Sequence, residues 1–180
     1  QANDELVDII TTDELVATAN TIAALQLPNG MIPWFPNGHC DPWNHVETAM
    51  ALDVMGMHDE ARRAYAWLAD IQRPDGSWHN YYLPDGSVED AKLDTNVCAY
   101  IATGVWHHWR STWDRGFAEN LWPTVERALE FVLSQRRDDG RARAPGAGAA
   151  GTALRGSLLL LLLLGRRTLG LPRRTRLQRA

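Results

Sequence analysis

The chain has 180 residues, of which 45% are hydrophobic, and its formal net charge is −4. This length suits one domain, or one domain followed by a tail, and it suffices to bury a core. The acidic N-terminus predicts no signal peptide. The two cysteines of the chain, Cys40 and Cys98, match no metal or redox spacing, which predicts a reducing, cytoplasmic compartment.

Charge is unevenly distributed along the chain. All 22 acidic residues but only nine of the 18 Lys and Arg precede residue 141, and residues 141–180 contain nine Arg and no acidic residue. This change predicts a domain over 1–140 and an Arg-, Leu- and Gly-rich tail over 141–180 that is disordered or non-native. A shifted reading frame in GC-rich DNA explains the tail better than a membrane-attached segment or a nucleic-acid arm.

The tail supports neither of those alternatives. Its apolar run begins at Leu158 and is interrupted at Gly165, so it falls short of the ~20 residues that span a bilayer. It also lacks aromatic residues for base stacking. The sequence therefore predicts no transmembrane span and no nucleic-acid partner.

Helix signals follow one another along the first 140 residues. Thr11 and Glu14 match a capping box, and Asp41 followed by Pro42 is typical of a helix start. These signals and the apolar periodicity predict five helices, at about 12–26, 42–55, 59–72, 94–110 and 118–137. The intervening loop at about 73–92 contains one short candidate strand, 78–83, so the predicted class is all-α.

The helices alternate in character. The third is amphipathic, whereas the second and fourth are apolar over much of their length. A helix that is apolar all round must be covered on all sides. Amphipathic helices alternating with apolar ones predict an outer and an inner ring.

A repeated motif supports this arrangement. Residues 63–78 contain Arg63, Trp67, Gln72, Gly76 and Trp78 at the spacing of the QW repeat, so the segment resembles class II terpenoid cyclases of the prenyltransferase-like superfamily. Weaker copies contain Gln26 with Gly30, and Arg136 with Gly140. The resemblance implies a structural role for the repeat residues, namely Gln26, Gly30, Gln72, Gly76, Trp78 and Gly140. It also implies an α/α toroid of about six helix pairs, of which this chain supplies about two and a half.

The N-termini of the inner helices would face the mouth of such a toroid. They carry Asp41, His45, Glu47 and Asp94, which are the candidate catalytic residues. Asp41 and His45 are four residues apart and could relay a proton. The alternative is structural: Asp41 and Asp94 cap their helices, and Glu47 pairs with a neighbouring helix.

Aromatic side chains are the candidate substrate-binding residues. Trp34, Trp43, Trp78 and Trp106 could stabilise a carbocation or stack against sugar rings, although packing explains each of them as well. The adjacent His107 and His108 diverge on a helix, so the sequence predicts no metal site and identifies no cofactor.

Three functions remain open. The leading one is a fragment, inactive by itself, of a prenyltransferase- or cyclase-like protein that acts on an isoprenoid or other apolar small molecule. However, the chain lacks the DxDD motif of the cyclases and the Asp-x-Cys pair of the protein prenyltransferases. The alternatives are a six-hairpin glycosidase or lyase with a carboxylate pair in a Trp-lined funnel, and a non-enzymatic toroid scaffold.

Overall fold

The computed structural model of the chain describes residues 10–135. These residues form helices and one small hairpin, which confirms the all-α class. The elements are α1 (Thr12–Leu25), α2 (Pro42–Val54), α3 (His58–Asp70), β1 (Tyr81–Tyr82), β2 (Val88–Asp90), α4 (Thr95–Ala99), α5 (Ile101–Thr112) and α6 (Arg115–Ser134). Gly140 and the tail 141–180 lie outside the described residues, and closure of the helices into a ring stays a prediction.

Local signals explain where the helices begin and end. Thr11 and Glu14 form the capping box that the sequence predicted, and Asp41 caps α2 by accepting a hydrogen bond from the Asn44 N–H at 3.0 Å. The predicted fourth helix is divided at Tyr100 into α4 and α5. The fifth helix begins earlier than predicted, because Asp114 accepts from the Phe117 N–H at 2.9 Å and caps it.

The core lies where α2 packs against α3 and α5. Val46 and Leu52 of α2, Leu68 of α3 and Ile101 of α5 are almost completely buried. Gly104 permits this close packing, because a Cβ there would collide with Val46 and with the ring of Tyr65.

The α2 helix is not covered on all sides, contrary to the prediction. Asn44, Glu47, Ala51 and Val54 form an exposed stripe along it, and Val54 is 71% exposed. This stripe begins in the first turn of α2, next to the predicted mouth.

The predicted loop at 73–92 contains a hairpin. Tyr81 pairs with Asp90 and Tyr82 with Val88, and Cys40 forms an additional bridge to Tyr82 through two backbone hydrogen bonds of 2.9 Å. The prediction of at most one short strand is therefore wrong. Apolar periodicity could not reveal the pairing, because strands of two and three residues are shorter than one alternation pattern.

The repeat residues connect α1 to α3 and α3 to α6. Gln26 donates to the Gly30 and Glu60 carbonyls at 3.1 and 2.9 Å, and its own oxygen accepts from Arg63 at 2.8 Å. One repeat later, Gln72 donates to the Gly76 and Thr124 carbonyls at 3.0 and 2.9 Å and accepts from Arg127 at 2.8 Å. In each copy the glutamine therefore closes its own turn and contacts a following helix, which is α3 for Gln26 and α6 for Gln72.

Within residues 10–135, no helix is both long enough and apolar enough to cross a membrane.

Candidate active site

A carboxylate that accepts hydrogen bonds from two stacked aromatic side chains lies near the start of α2. Glu47 is exposed, and its Oε1 accepts hydrogen bonds from Trp43 Nε1 at 2.9 Å and from the Tyr100 hydroxyl at 3.2 Å. The Trp43 and Tyr100 rings are stacked, with centroids 4.5 Å apart and planes 10° apart. Partial burial, together with the charge of Glu47 nearby, raises the pKa of Tyr100. Glu47 is therefore held in one orientation beside an aromatic surface while it remains accessible to solvent.

A second aromatic group lies on the loop that precedes α2. Trp34 and Tyr81 flank His39, with ring centroids 4.8 Å and 4.7 Å from the imidazole. His39 Nδ1 also lies 2.7 Å from Glu89 Oε2, so it joins the loop to β2. Trp34 is 47% exposed, which leaves its ring available to a ligand.

Asp41 is largely committed to positioning its neighbours. It is 6% exposed, and its oxygens accept from the Asn44 backbone N–H, from Asn44 Nδ2 at 2.9 Å and from Trp34 Nε1 at 2.8 Å. These three donors leave little capacity for proton transfer. Asp41 both caps α2 and orients the exposed Trp34.

His45 does not face Asp41 and forms no proton relay with it. Its ring is 1% exposed; Nε2 donates to the Ala64 carbonyl at 2.9 Å, and Nδ1 accepts from the Ile32 N–H at 3.3 Å. Burial lowers the pKa of His45 to about 4. A neutral imidazole with both nitrogens engaged is a structural group, and the predicted catalytic pair is absent here because the ring turns into the core.

The other predicted residues occupy different positions. Asp94 caps α4 by accepting from the Asn96 N–H at 2.8 Å and is partly exposed. Trp78 is 1% exposed and donates to the Leu68 carbonyl at 2.9 Å, so it offers no ring face to a substrate and acts in packing. Trp106 packs beside Trp109, with centroids 5.0 Å apart, in a small separate apolar cluster.

A group of histidines lies near the other end of α2. Asp53 has no exposed side-chain area, and its Oδ1 lies 3.0 Å from His58 Nδ1 and 2.8 Å from His108 Nδ1. These three side chains could hold a metal ion, since their ligand atoms all lie within 4.8 Å of one another. The sequence did not predict this group, because Asp53 and His58 are distant along the chain from His108 and no local spacing connects them.

Tyr100 and His39 complete the two aromatic groups, and neither was predicted as a site residue from the sequence. Tyr100 stacks on Trp43 from the junction between α4 and α5, and no local pattern in that helical segment singles it out. His39 contacts Tyr81 only because the hairpin folds back against the loop before α2. The one available signal was the concentration of aromatic residues in the loops that flank the inner helices.

Comparisons with known proteins bear on the chemistry of this surface. The chain matches no protein-family profile. Over 140 residues it is 49% identical to a protein of Mycolicibacterium hassiacum named MMP endo-(1,4)-3-O-methyl-alpha-D-mannosidase, covering 76% of this chain and 39% of that protein. Over 84 residues it is 31% identical to a protein of Methanocaldococcus jannaschii named as an uncharacterized glycosyl hydrolase, covering 47% of this chain and 14% of that protein. The chain thus spans about two-fifths of the first relative and a smaller share of the second.

These relatives overturn the leading prediction. Both are named as glycosidases, so the assignment to terpenoid cyclases and prenyltransferases, with a transferase or cyclase activity on an isoprenoid or other apolar substrate, is wrong. The comparisons favour the alternative of a carbohydrate-active enzyme. The QW-like repeat led to the wrong family because its contacts join α1 to α3 and α3 to α6 and carry no information about the ligand.

Proposed function

We propose that this chain forms part of a glycoside hydrolase whose substrate is an α-mannoside with 3-O-methylated sugars. The observation that carries the proposal is the 49% identity to the named endo-mannosidase over 140 residues. The exposed Glu47 and Trp34 and the half-buried Trp43 support it, because all three lie near the start of α2 and are at least partly accessible to a ligand.

The chemistry of the surface suits a sugar. A carboxylate accepts hydrogen bonds from sugar hydroxyls, and an aromatic ring face packs against the C–H groups of a pyranose. O-methylation adds apolar area to each sugar, and exposed aromatic rings can bury that area. The Trp43–Tyr100 stack holds one such ring rigidly, so little conformational entropy is lost on binding.

Glycoside hydrolysis needs two carboxyl groups, one on each side of the scissile bond. Glu47 is the carboxylate that we assign to substrate contact, because its side chain is exposed and its orientation is held by Trp43 and Tyr100. Asp94 remains the second candidate from the sequence. Asp41 acts instead by orienting Trp34.

Calorimetric titration of the 180-residue chain tests the proposal. We expect saturable binding of an α-(1→4)-linked oligosaccharide of 3-O-methylmannose, and binding at least about tenfold weaker for the unmethylated oligosaccharide, because each methyl group contributes buried apolar area. Farnesyl diphosphate serves as the control ligand for the rejected activity. Binding of farnesyl diphosphate with no binding of either oligosaccharide would contradict the proposal.

A further inference from the structure

Three histidines surround one buried carboxylate where α2, α3 and α5 meet. Asp53 lies in the last turn of α2, His58 begins α3, and His107 and His108 lie in α5. Asp53 Oδ1 is 3.0 Å from His58 Nδ1 and 2.8 Å from His108 Nδ1, and Asp53 Oδ2 is 3.8 Å from His107 Nδ1. The ligand atoms of Asp53, His58 and His108 therefore lie within 4.8 Å of one another, and His107 Nδ1 lies beside the second oxygen of Asp53.

Hydrogen bonding does not account for every member of this group. His58 and His108 can each donate an N–H to Asp53, but His107 Nδ1 is buried and has no hydrogen-bond partner in the described part of the chain. Buried polar atoms are nearly always paired, and those that are not often indicate a missing water or ion. At 3.8 Å from Asp53 Oδ2, His107 is too far for a hydrogen bond yet close enough to share a metal ion with it.

We propose that Asp53, His58, His107 and His108 form a binding site for a divalent transition-metal ion, with Zn²⁺ as the preferred ion. One carboxylate oxygen and three imidazole nitrogens are a donor set that Zn²⁺ accepts in tetrahedral geometry. When the distance from Zn²⁺ to each ligand atom is about 2.0–2.2 Å, tetrahedral geometry puts two ligand atoms roughly 3.3 Å apart. Binding therefore requires His58 and His108 to withdraw a few tenths of an ångström from Asp53, and His107 to approach.

The turn between α2 and α3 brings the first two ligands together. Gly56 has φ +75°, and the Met57 and Gly56 N–H groups donate to the Leu52 and Asp53 carbonyls at 2.9 and 3.0 Å. This is the hydrogen-bond pattern of a Schellman motif, which ends α2 and starts α3 within a few residues. A metal ion here would join α2, α3 and α5.

The site is distinct from the proposed sugar surface. Asp53 is six residues after Glu47 on α2, which corresponds to roughly 9 Å along the helix axis. The bound ion would stabilise the packing of three helices and would not contact a sugar bound beside Glu47.

Metal titration of the full chain, with any affinity tag removed and after treatment with a chelator, tests the proposal. We expect one Zn²⁺ per chain by mass spectrometry of bound metal, a rise in melting temperature of about 5 °C or more, and visible absorption of tetrahedral Co²⁺ when cobalt is used. His107→Gln removes one proposed ligand whose Nδ1 makes no hydrogen bond within residues 10–135, so the variant should fold normally and bind Zn²⁺ at least about tenfold more weakly.

His39→Gln is the matched control, because His39 also lies beside a carboxylate but is outside the group. It should bind Zn²⁺ as the unaltered chain does. Equal melting temperatures with and without Zn²⁺, or Zn²⁺ binding that His107→Gln leaves unchanged, would overturn the proposal.

Discussion

Glu47 is the residue on which the proposed sugar contact depends. Its Oε1 is held by Trp43 and Tyr100, and the side chain remains exposed at the start of α2. Among the predicted catalytic residues it combines a carboxylate, an accessible position and a fixed orientation. The His45 side chain is buried and neutral, and the carboxylate oxygens of Asp41 already accept hydrogen bonds from protein donors.

Replacing Glu47 with Gln should weaken binding of the methylated mannoside about tenfold, because hydrogen bonds to an ionised acceptor are roughly twice as strong as neutral ones. Calorimetric titration measures the change. Glu119→Gln is the control, since Glu119 is also exposed but pairs with Arg115 on α6 at 2.7 Å. Equal losses of affinity in the two variants would show that Glu47 has no specific role.

His45 should make the stability of the fold depend on pH. Its pKa is about 4 in the folded protein and near 6.5 when unfolded, so between these values the unfolded chain binds the extra proton. The free energy of unfolding contributed by this group should therefore fall by roughly 3 kcal/mol as the pH drops from 6.5 to 4, and change little outside that window.

Urea unfolding at several pH values, compared between the native chain and His45→Gln, isolates this contribution. The Gln side chain can still donate to the Ala64 carbonyl but does not titrate. The difference in stability between the two proteins should shrink as the pH falls. A difference that stays constant from about pH 7 to about pH 4 would mean that His45 does not titrate as described.

At the scale of elements, α1, α3 and α6 are joined by the Gln and Gly residues of the repeat. Gly30 and Gly76 have φ of +96° and +87°, and a Cβ at either would overlap the carbonyl oxygen of Arg63 or Arg127 respectively. Both the backbone conformation and the close approach of α3 or α6 require glycine at these positions.

Gly76→Ala should lower the free energy of unfolding by about 3 kcal/mol or more, because it combines left-handed backbone strain of about 1–2 kcal/mol with a collision against α6. Gly86→Ala is the matched control: Gly86 has φ +85°, but no atom lies within 4 Å of its Cβ position. Gly86→Ala should lower the free energy of unfolding only by the backbone strain. If urea unfolding shows similar losses of unfolding free energy for the two variants, Gly76 does not make a close contact with α6.

The elements also show how far the sequence could predict this structure. Capping residues such as Thr11, Asp41 and Gly56 act within one turn of the chain, so they located the start of α1 and both ends of α2 to within a residue or two. The bridge between Cys40 and Tyr82 joins residues 42 positions apart, and local patterns carry no signal for it. The break at Tyr100 has no Gly or Pro to mark it.

The site was only partly predictable for a related reason. The sequence predicted functional residues at the N-terminal end of α2, and Glu47, Trp43 and Trp34 are at least partly accessible there. However, the partner of Trp43 is Tyr100, 57 residues later, and Asp53 contacts histidines from two other helices. Such tertiary neighbours become visible only when the helices are packed together.

At the scale of the whole molecule, the family was misjudged because the repeat reports on architecture and not on chemistry. Gln72 and Gly76 explain how α3 is joined to α6 through contacts with Thr124 and Arg127. Such contacts can serve a terpenoid cyclase and a glycosidase equally well. The ligand must be inferred from the side chains around the first turns of α2.

Tryptophan fluorescence during titration with the α-(1→4)-linked 3-O-methylmannose oligosaccharide tests the central claim most directly, because Trp43 forms part of the proposed surface. We expect a saturable change in emission that is largely lost in Trp43→Phe and retained in Trp113→Phe, since Trp113 is 65% exposed at the end of α5. An unchanged signal in Trp43→Phe, or no signal from the native chain at saturating oligosaccharide, would contradict a sugar site beside Glu47.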